Sequence, residues 1–202
     1  MRTIGALIFP GFELLDVFGP MEMFGLMKDD YALTLIAEQA GPVASNQTLS
    51  AHADISTANQ QGFDILFIPG GVGTRNEVEN TPLLDWITQA AAQTEYVLTV
   101  CTGSALLART GFLDGQKATT NKAAFHWATS QGPKVDWQKQ ARWVQEDKIF
   151  TSSGVSAGMD MALAAIAHMQ GQTRAEEIAV YAEYDWHQDA TWDPFAKIHG
   201  LV

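Results

Sequence analysis

Tyr96-Val97-Leu98-Thr99-Val100-Cys101-Thr102-Gly103-Ser104-Ala105-Leu106-Leu107-Ala108 reads as a buried strand, a corner carrying the chain's single cysteine, and a helix opened by small residues. A strand-to-helix turn of this kind pushes its corner side chain over the first helical amides, which carry unpaired N–H groups and partial positive charge. Such amides favour a thiolate. A thiol that titrates near ~8.5 in isolation is expected to ionise more readily here, which makes Cys101 a candidate nucleophile. Residue type alone argues the other way, because most unpaired cysteines are inert core residues. Placement favours the nucleophile: a core cysteine belongs inside Val97-Leu98, whereas Gly103 at the corner permits close backbone approach. The G-x-S-x-G elbow of hydrolases shares the geometry but not the pattern, since Thr99 occupies its first glycine position.

Outward from this stretch, short apolar runs recur at residues 3–9, 31–37 and 64–69, closed by Pro10-Gly11, Gly41-Pro42 and Gly70-Gly71. Runs apolar on both faces suit strands of a parallel sheet covered by helices. Helical periodicity lies between them, at 13–27, interrupted by Gly19-Pro20, and at 82–93, with Pro82 at its first position. Beyond the cysteine helix, 117–120 reads as a strand, 122–130 as a helix, and 141–146 with 149–152 as a hairpin around Asp147-Lys148. A buried helix at 159–169 follows, then one at 173–184 with Thr173 and Glu176 as a capping box. Residues 43–45 and 48–51 suit a small hairpin off the sheet edge. The aromatic tail from Asp185 is expected to pack on the body or on a second subunit. The alternation defines an α/β fold, a doubly wound, mostly parallel sheet flanked by helices and flavodoxin-like, with residues 1–202 as a single domain. Its ligand site belongs beyond the carboxyl ends of the strands.

Three stretches converge there: Asp16 after the first strand, Gly70-Gly71 after another, and Cys101 after a third. Asp16 lies four residues before Pro20, so it sits either in the first turn of a kinked helix or in the loop before a helix that begins at Pro20. The plain alternative for it is a helix cap. Glu22, about 240° further round the helix, does not pair with it. Gly70-Gly71-Val72-Gly73 fails as a dinucleotide loop because Asn76 replaces the third glycine, and no P-loop lysine follows. Paired glycines here either make an ordinary turn or aim amides at a developing negative charge.

Composition narrows the function classes. A net charge of −11 without a basic stripe argues against nucleic acid as a partner. No apolar run approaches the roughly 20 residues a membrane span requires, and no leader pattern opens the chain, so a cytoplasmic location is expected. One cysteine excludes an internal disulfide and a multi-cysteine metal site. His52, His126, His168, His187 and His199 form no close ligand pair, and neither metal nor cofactor is called for. In the tail, His187, Asp189, Asp193 and His199 either gather round an ion or form a polar surface. His126 is the histidine best placed to serve Cys101, while Phe125-His126-Trp127 equally reads as a packing cluster.

Ile8-Phe9-Pro10-Gly11-Phe12, Leu15-Asp16-Val17-Phe18-Gly19-Pro20, Ile68-Pro69-Gly70-Gly71, Val100-Cys101-Thr102-Gly103-Ser104, Ala118-Thr119-Thr120 and Ser153 to Asp160 together resemble the ThiJ/PfpI superfamily, also described as class I glutamine amidotransferase-like. Within it the pattern is most similar to the isonitrile hydratase branch and to the ligand-sensing domains of AraC-type regulators. The resemblance implies a homodimer acting on a small molecule, with Cys101 as nucleophile, Asp16 as the acid beside it, and Gly71 and Thr102 lining the site through their amides. Gly70 joins Gly71 as a candidate oxyanion donor. Many relatives carry histidine after the Thr-Thr pair, where this chain has Asn121, which speaks against glyoxalase-like or amidase-like Cys-His chemistry. Hydration of an isonitrile needs the thiol and the carboxyl group instead. A redox- or ligand-sensing protein is the non-catalytic alternative. Phe12, Phe18 and Trp127 are candidate walls of an apolar pocket.

Overall fold

The computed structural model describes residues 1–59 and 62–202. From the N-terminus, β1 (Arg2–Leu7) leads into α1 (Leu14–Gly25) and β2 (Tyr31–Ala37). The antiparallel ribbon β3 (Gly41–Ala44) and β4 (Ser50–Ala53) pairs Val43 with Ala51, as the hairpin pattern predicts, and the short strand β5 (Ile55–Ser56) returns to the main sheet. Next come β6 (Ile65–Ile68), α2 (Thr74–Glu77), α3 (Thr81–Gln93), β7 (Tyr96–Thr99) and α4 (Gly103–Arg109). The remainder is β8 (Lys117–Ala118), α5 (Phe125–Ser130), β9 (Asp136–Trp137), β10 (Trp143–Glu146), β11 (Ile149–Ser152), α6 (Ala157–Gln170), α7 (Gln172–Tyr181) and α8 (Pro194–Ile198).

One seven-stranded sheet in the order β10-β11-β7-β6-β1-β2-β5 organises the chain, parallel except for β10. Its registers join Ile4 to both Leu33 and Ile65, and Phe67 to Leu98. Every residue of β6 and β11 is buried, which is why β6 reads as an unbroken apolar run and not as an alternating one. Around the sheet, α1 packs with α6 and α6 with α7, while α3 and α5 pack with α4. The fold is the doubly wound, mostly parallel sheet that the sequence pattern predicts.

Three local expectations are corrected. The expected helix at 122–130 begins only at Phe125, because the Lys122 amine turns inward and donates to Thr119 Oγ1 and the Ala141 carbonyl, both at 2.6 Å. The capping box at Thr173 does not form. Gly171, at φ 96°, turns α6 directly into α7, so Thr173 lies inside the first turn and Glu176 instead accepts from Gln172 one turn back. β8 extends only to Ala118 and pairs with β9, a strand the sequence pattern does not suggest.

The aromatic tail packs on the body of its own chain. Phe125 joins Ala196 and Leu201 in a small second core, with Trp137 against it. Trp186 Nε1 donates to the Asp160 carbonyl at 3.2 Å.

Candidate active site

Cys101 sits at φ 57°, in the left-handed region, at the corner between β7 and α4. That conformation costs a side-chain-bearing residue about 1–2 kcal/mol, so the surroundings must impose it. They do so through hydrogen bonds. The Cys101 N–H donates to the Ser153 carbonyl at 3.1 Å, and its carbonyl accepts from both Ser104 Oγ and Thr120 Oγ1 at 3.0 Å. Tight packing completes the elbow: a Cβ on Gly103 would collide with the Ile68 carbonyl, and one on Gly70 would meet the Thr102 amide at 2.6 Å. Val155, a β-branched residue at φ 41°, is a second strained corner beside it.

Asp16 lies in the first turn of α1, which runs through Pro20. The kinked-helix alternative is therefore the one realised. The carboxyl group is fully buried. Oδ2 accepts from the Gly70 N–H at 2.9 Å, while Oδ1 makes no hydrogen bond among the described residues. Burial is the main force raising its pKa to about 7, against the Gly70 amide and the neighbouring thiol; the Glu13 carboxylate adds to the rise.

The thiol departs from the sequence expectation. Burial first and the Asp16 charge second push the Cys101 pKa up, and the Thr102 and Val155 amides and the Thr102 hydroxyl only partly offset them. The helix-start amides are present as expected, but desolvation outweighs them. Thiol and carboxyl form one coupled acid pair, with the carboxyl titrating near neutrality.

The two glycines act differently from a simple oxyanion cradle. The Gly70 N–H is committed to Asp16, and the Gly71 N–H donates to Thr102 Oγ1 at 3.2 Å. Thr102 Oγ1 also accepts from Thr74 Oγ1 at 3.1 Å. These bonds lock the β6 and β7 corners together. The backbone N–H groups acting on the sulfur are those of Thr102 and Val155.

A cavity of about 380 Å3 opens over Cys101 and is lined by Glu13, Gly71, Val72, Arg75, Cys101, Thr102, Asn121, Ala123, Ala124 and Val155. Cys101, Thr102 and Gly71 line it, with Asp16 behind the thiol and the Gly71 N–H turned to Thr102 instead of to the cavity. Gly70 lies beneath the floor. His126 is exposed and does not line the cavity; its ring stands edge-on to Phe125, the packing alternative. Of the three candidate walls, Phe12 is core, Phe18 lines a separate groove with Leu33, and Trp127 lies under the Arg75 guanidinium. Glu13, Arg75 and Val155 are cavity residues that sequence reasoning missed, while Asn121, singled out where many relatives carry histidine, also lines the cavity. Glu13 flanks Asp16 by only one helical turn and was the one open to recognition. Its carboxylate is held by the Gln47 amide, with Asn46 Nδ2 at 3.5 Å. Asn121 Oδ1 accepts from the Ala124 N–H at 2.9 Å, which fixes its side chain at the cavity edge.

Among the described residues, no group of three His, Cys, Asp or Glu side chains is disposed to hold a metal ion. No helix among them is long and apolar enough to cross a membrane.

A parallel α/β sheet with a strained cysteine elbow after one strand and a buried acid after another defines a class of thiol–carboxyl α/β proteins. The chain belongs to the DJ-1/PfpI family, which it matches over residues 2–168. It is 32% identical over 183 residues to an isonitrile hydratase from Pseudomonas putida, covering 90% of this chain and 78% of that one. An HTH-type transcriptional regulator, CdhR of Pseudomonas aeruginosa, is 25% identical over 178 residues, 86% of this chain but only 52% of the regulator. Among solved structures, a THiJ/PfpI family protein from Pseudomonas syringae superposes with a TM-score of 0.84 at 30% identity, over 91% of this chain and 75% of that one.

Proposed function

We propose that the chain is an isonitrile hydratase, converting R–NC and water to the formamide R–NH–CHO. The observation that carries this reading is the buried Asp16–Cys101 pair, an acid near neutrality beside a thiol, in a cavity that no histidine lines. An isonitrile carbon must gain both a proton and a nucleophile. Asp16 delivers the proton to that carbon as Cys101 sulfur bonds to it, and the thiol's own proton passes to the carboxylate, giving the thioimidate R–N=CH–S. Asp16, protonated again, passes that proton to the imine nitrogen and takes one from water as the water attacks the same carbon, giving R–NH–CH(OH)–S. Collapse of the tetrahedral adduct breaks the C–S bond and returns the proton to sulfur, releasing the formamide. The Thr102 and Val155 amides hold charge on sulfur in both steps, and Gly70 keeps Asp16 aimed. Similarity to the Pseudomonas putida enzyme supports the assignment. The reading takes residues 1–202 as one domain, acting as a homodimer in the cytoplasm.

Formamide production from a panel of alkyl and aryl isonitriles tests it. Turnover is expected for the wild type, with a loss of about 1,000-fold or more in Cys101→Ser and about 100-fold in Asp16→Asn. Absence of turnover across the panel, with activity on methylglyoxal, would overturn it in favour of the glyoxalase-like alternative. The similarity to regulators supports ligand sensing as a second reading, which predicts saturable binding of the same compounds without formamide.

A further inference from the structure

Four of the chain's five arginines have a carboxylate within ion-pair distance: Arg2 with Glu95, Arg109 with Glu79, Arg142 with Asp160, and Arg174 with Glu177. Arg75 is the exception among the described residues, and it is the one that lines the Cys101 cavity. Its guanidinium lies 4.0 Å over the Trp127 ring. Nη1 donates to Thr74 Oγ1 at 3.2 Å and to the Gly71 carbonyl at 3.4 Å. These contacts fix the group without neutralising it, and Nε and Nη2 make no hydrogen bond among the described residues. In a protein of net charge −11, a cation held in this way concentrates anions where it stands. Glu13, the carboxylate that shares the cavity, is engaged by Gln47 and Asn46 and forms no ion pair with Arg75.

We propose that Arg75 is a specificity residue that binds a carboxylate carried by the substrate. Resting on the hydratase reading, this makes the substrate class an isonitrile whose substituent bears a carboxylate. A guanidinium with its Nε and Nη2 donors unengaged suits a side-on, two-point carboxylate contact, and a stacked guanidinium loses little freedom in making it.

The test separates this proposal from the hydratase reading by using Cys101 alkylation. Iodoacetate and iodoacetamide attack the same thiol and differ in charge, so the ratio of their rates reports anion recruitment, and the neutral reagent corrects for folding and thiol reactivity. Arg75→Gln is expected to lower the iodoacetate-to-iodoacetamide ratio about 5-fold, Arg75→Lys to lower it less, and added salt to narrow the gap. An equal ratio in wild type and Arg75→Gln overturns the proposal, whether or not isonitriles turn over. With isonitriles, KM for a carboxylate-bearing compound should rise about 5-fold in Arg75→Gln while KM for its methyl ester stays put. Parallel changes for acid and ester overturn the substrate class. If no isonitrile turns over, the hydratase reading falls, and the alkylation ratio still decides the role of Arg75.

Discussion

Asp16 and Asp160 are both fully buried aspartates in the first turns of helices, yet the protein treats them in opposite ways. Asp160 receives Arg142 Nη2 at 2.6 Å and Nε at 2.7 Å, the Tyr184 hydroxyl at 3.0 Å and the His187 N–H at 2.9 Å. Asp16 receives one backbone amide, a thiol that itself resists ionising, and the field of Glu13. Burial raises the pKa of both, but at Asp160 a cation and two further donors pull against it. One carboxylate holds the tail to the body; the other keeps an oxygen without a hydrogen bond among the described residues. On the proposed function, the fully satisfied acid is structural and the under-satisfied one reactive.

The strongest way to break this contrast is to remove the cation. Arg142→Met should destabilise by about 3–5 kcal/mol, because Asp160 and Asp193 would share a buried site without compensation. Urea unfolding measures it. A loss below about 1 kcal/mol would mean that the donors alone satisfy Asp160, and the distinction between the two sites would collapse.

The sequence exposes the two regions unequally. The sheet is legible because its strands are buried on both faces, and Cys101 and Asp16 are legible because each follows such a strand. Arg142, Asp160 and Asp193 lie on a strand approach, a helix and a tail separated by 18 residues and more, so their meeting is a property of tertiary structure. Arg75 and Val155 escape notice for a similar reason: one sits on the four-residue helix α2 and the other in the turn before α6, segments too short for periodicity to encode their direction. The thiol's raised pKa was hidden as well. Helix-start amides can be read from small residues after a strand, but the depth of burial that outweighs them depends on the whole fold.

A smaller effect sharpens the contrast through pH. With a folded pKa of about 7 against 3.8 for the ordinary carboxyl, Asp16 keeps a proton in the native state that the unfolded chain releases across that interval. Stability contributed here therefore falls as pH rises from about 4 to 7, and the full cost of the buried charge is present above 7. Asp16→Asn removes that slope. Relative to wild type, it should gain about 1–3 kcal/mol between pH 5 and pH 8 by urea unfolding, even as turnover drops. A stability difference independent of pH would show that Asp16 is ionised as an ordinary carboxylate.

The smallest change tests whether the two sites are independent, since they meet at Ser153. Its N–H donates to the Arg142 carbonyl at 2.8 Å and its carbonyl accepts from the Cys101 N–H at 3.1 Å. Tyr184→Phe deletes one donor from Asp160 and leaves the Arg142 pair and the His187 amide in place. Burial, and then the charge of Asp160, hold the Tyr184 phenol protonated, so the bond lost is a neutral donor to a charged acceptor. The expected cost is about 1 kcal/mol in urea unfolding, since the remaining donors still satisfy the carboxylate. Turnover should be unchanged, because Tyr184 does not line the cavity and Ser153 is held through backbone groups that the substitution leaves intact. A several-fold fall in kcat at that modest cost would instead mean that the tail's anchoring sets the elbow geometry, with the structural acid acting on the reactive one through Ser153.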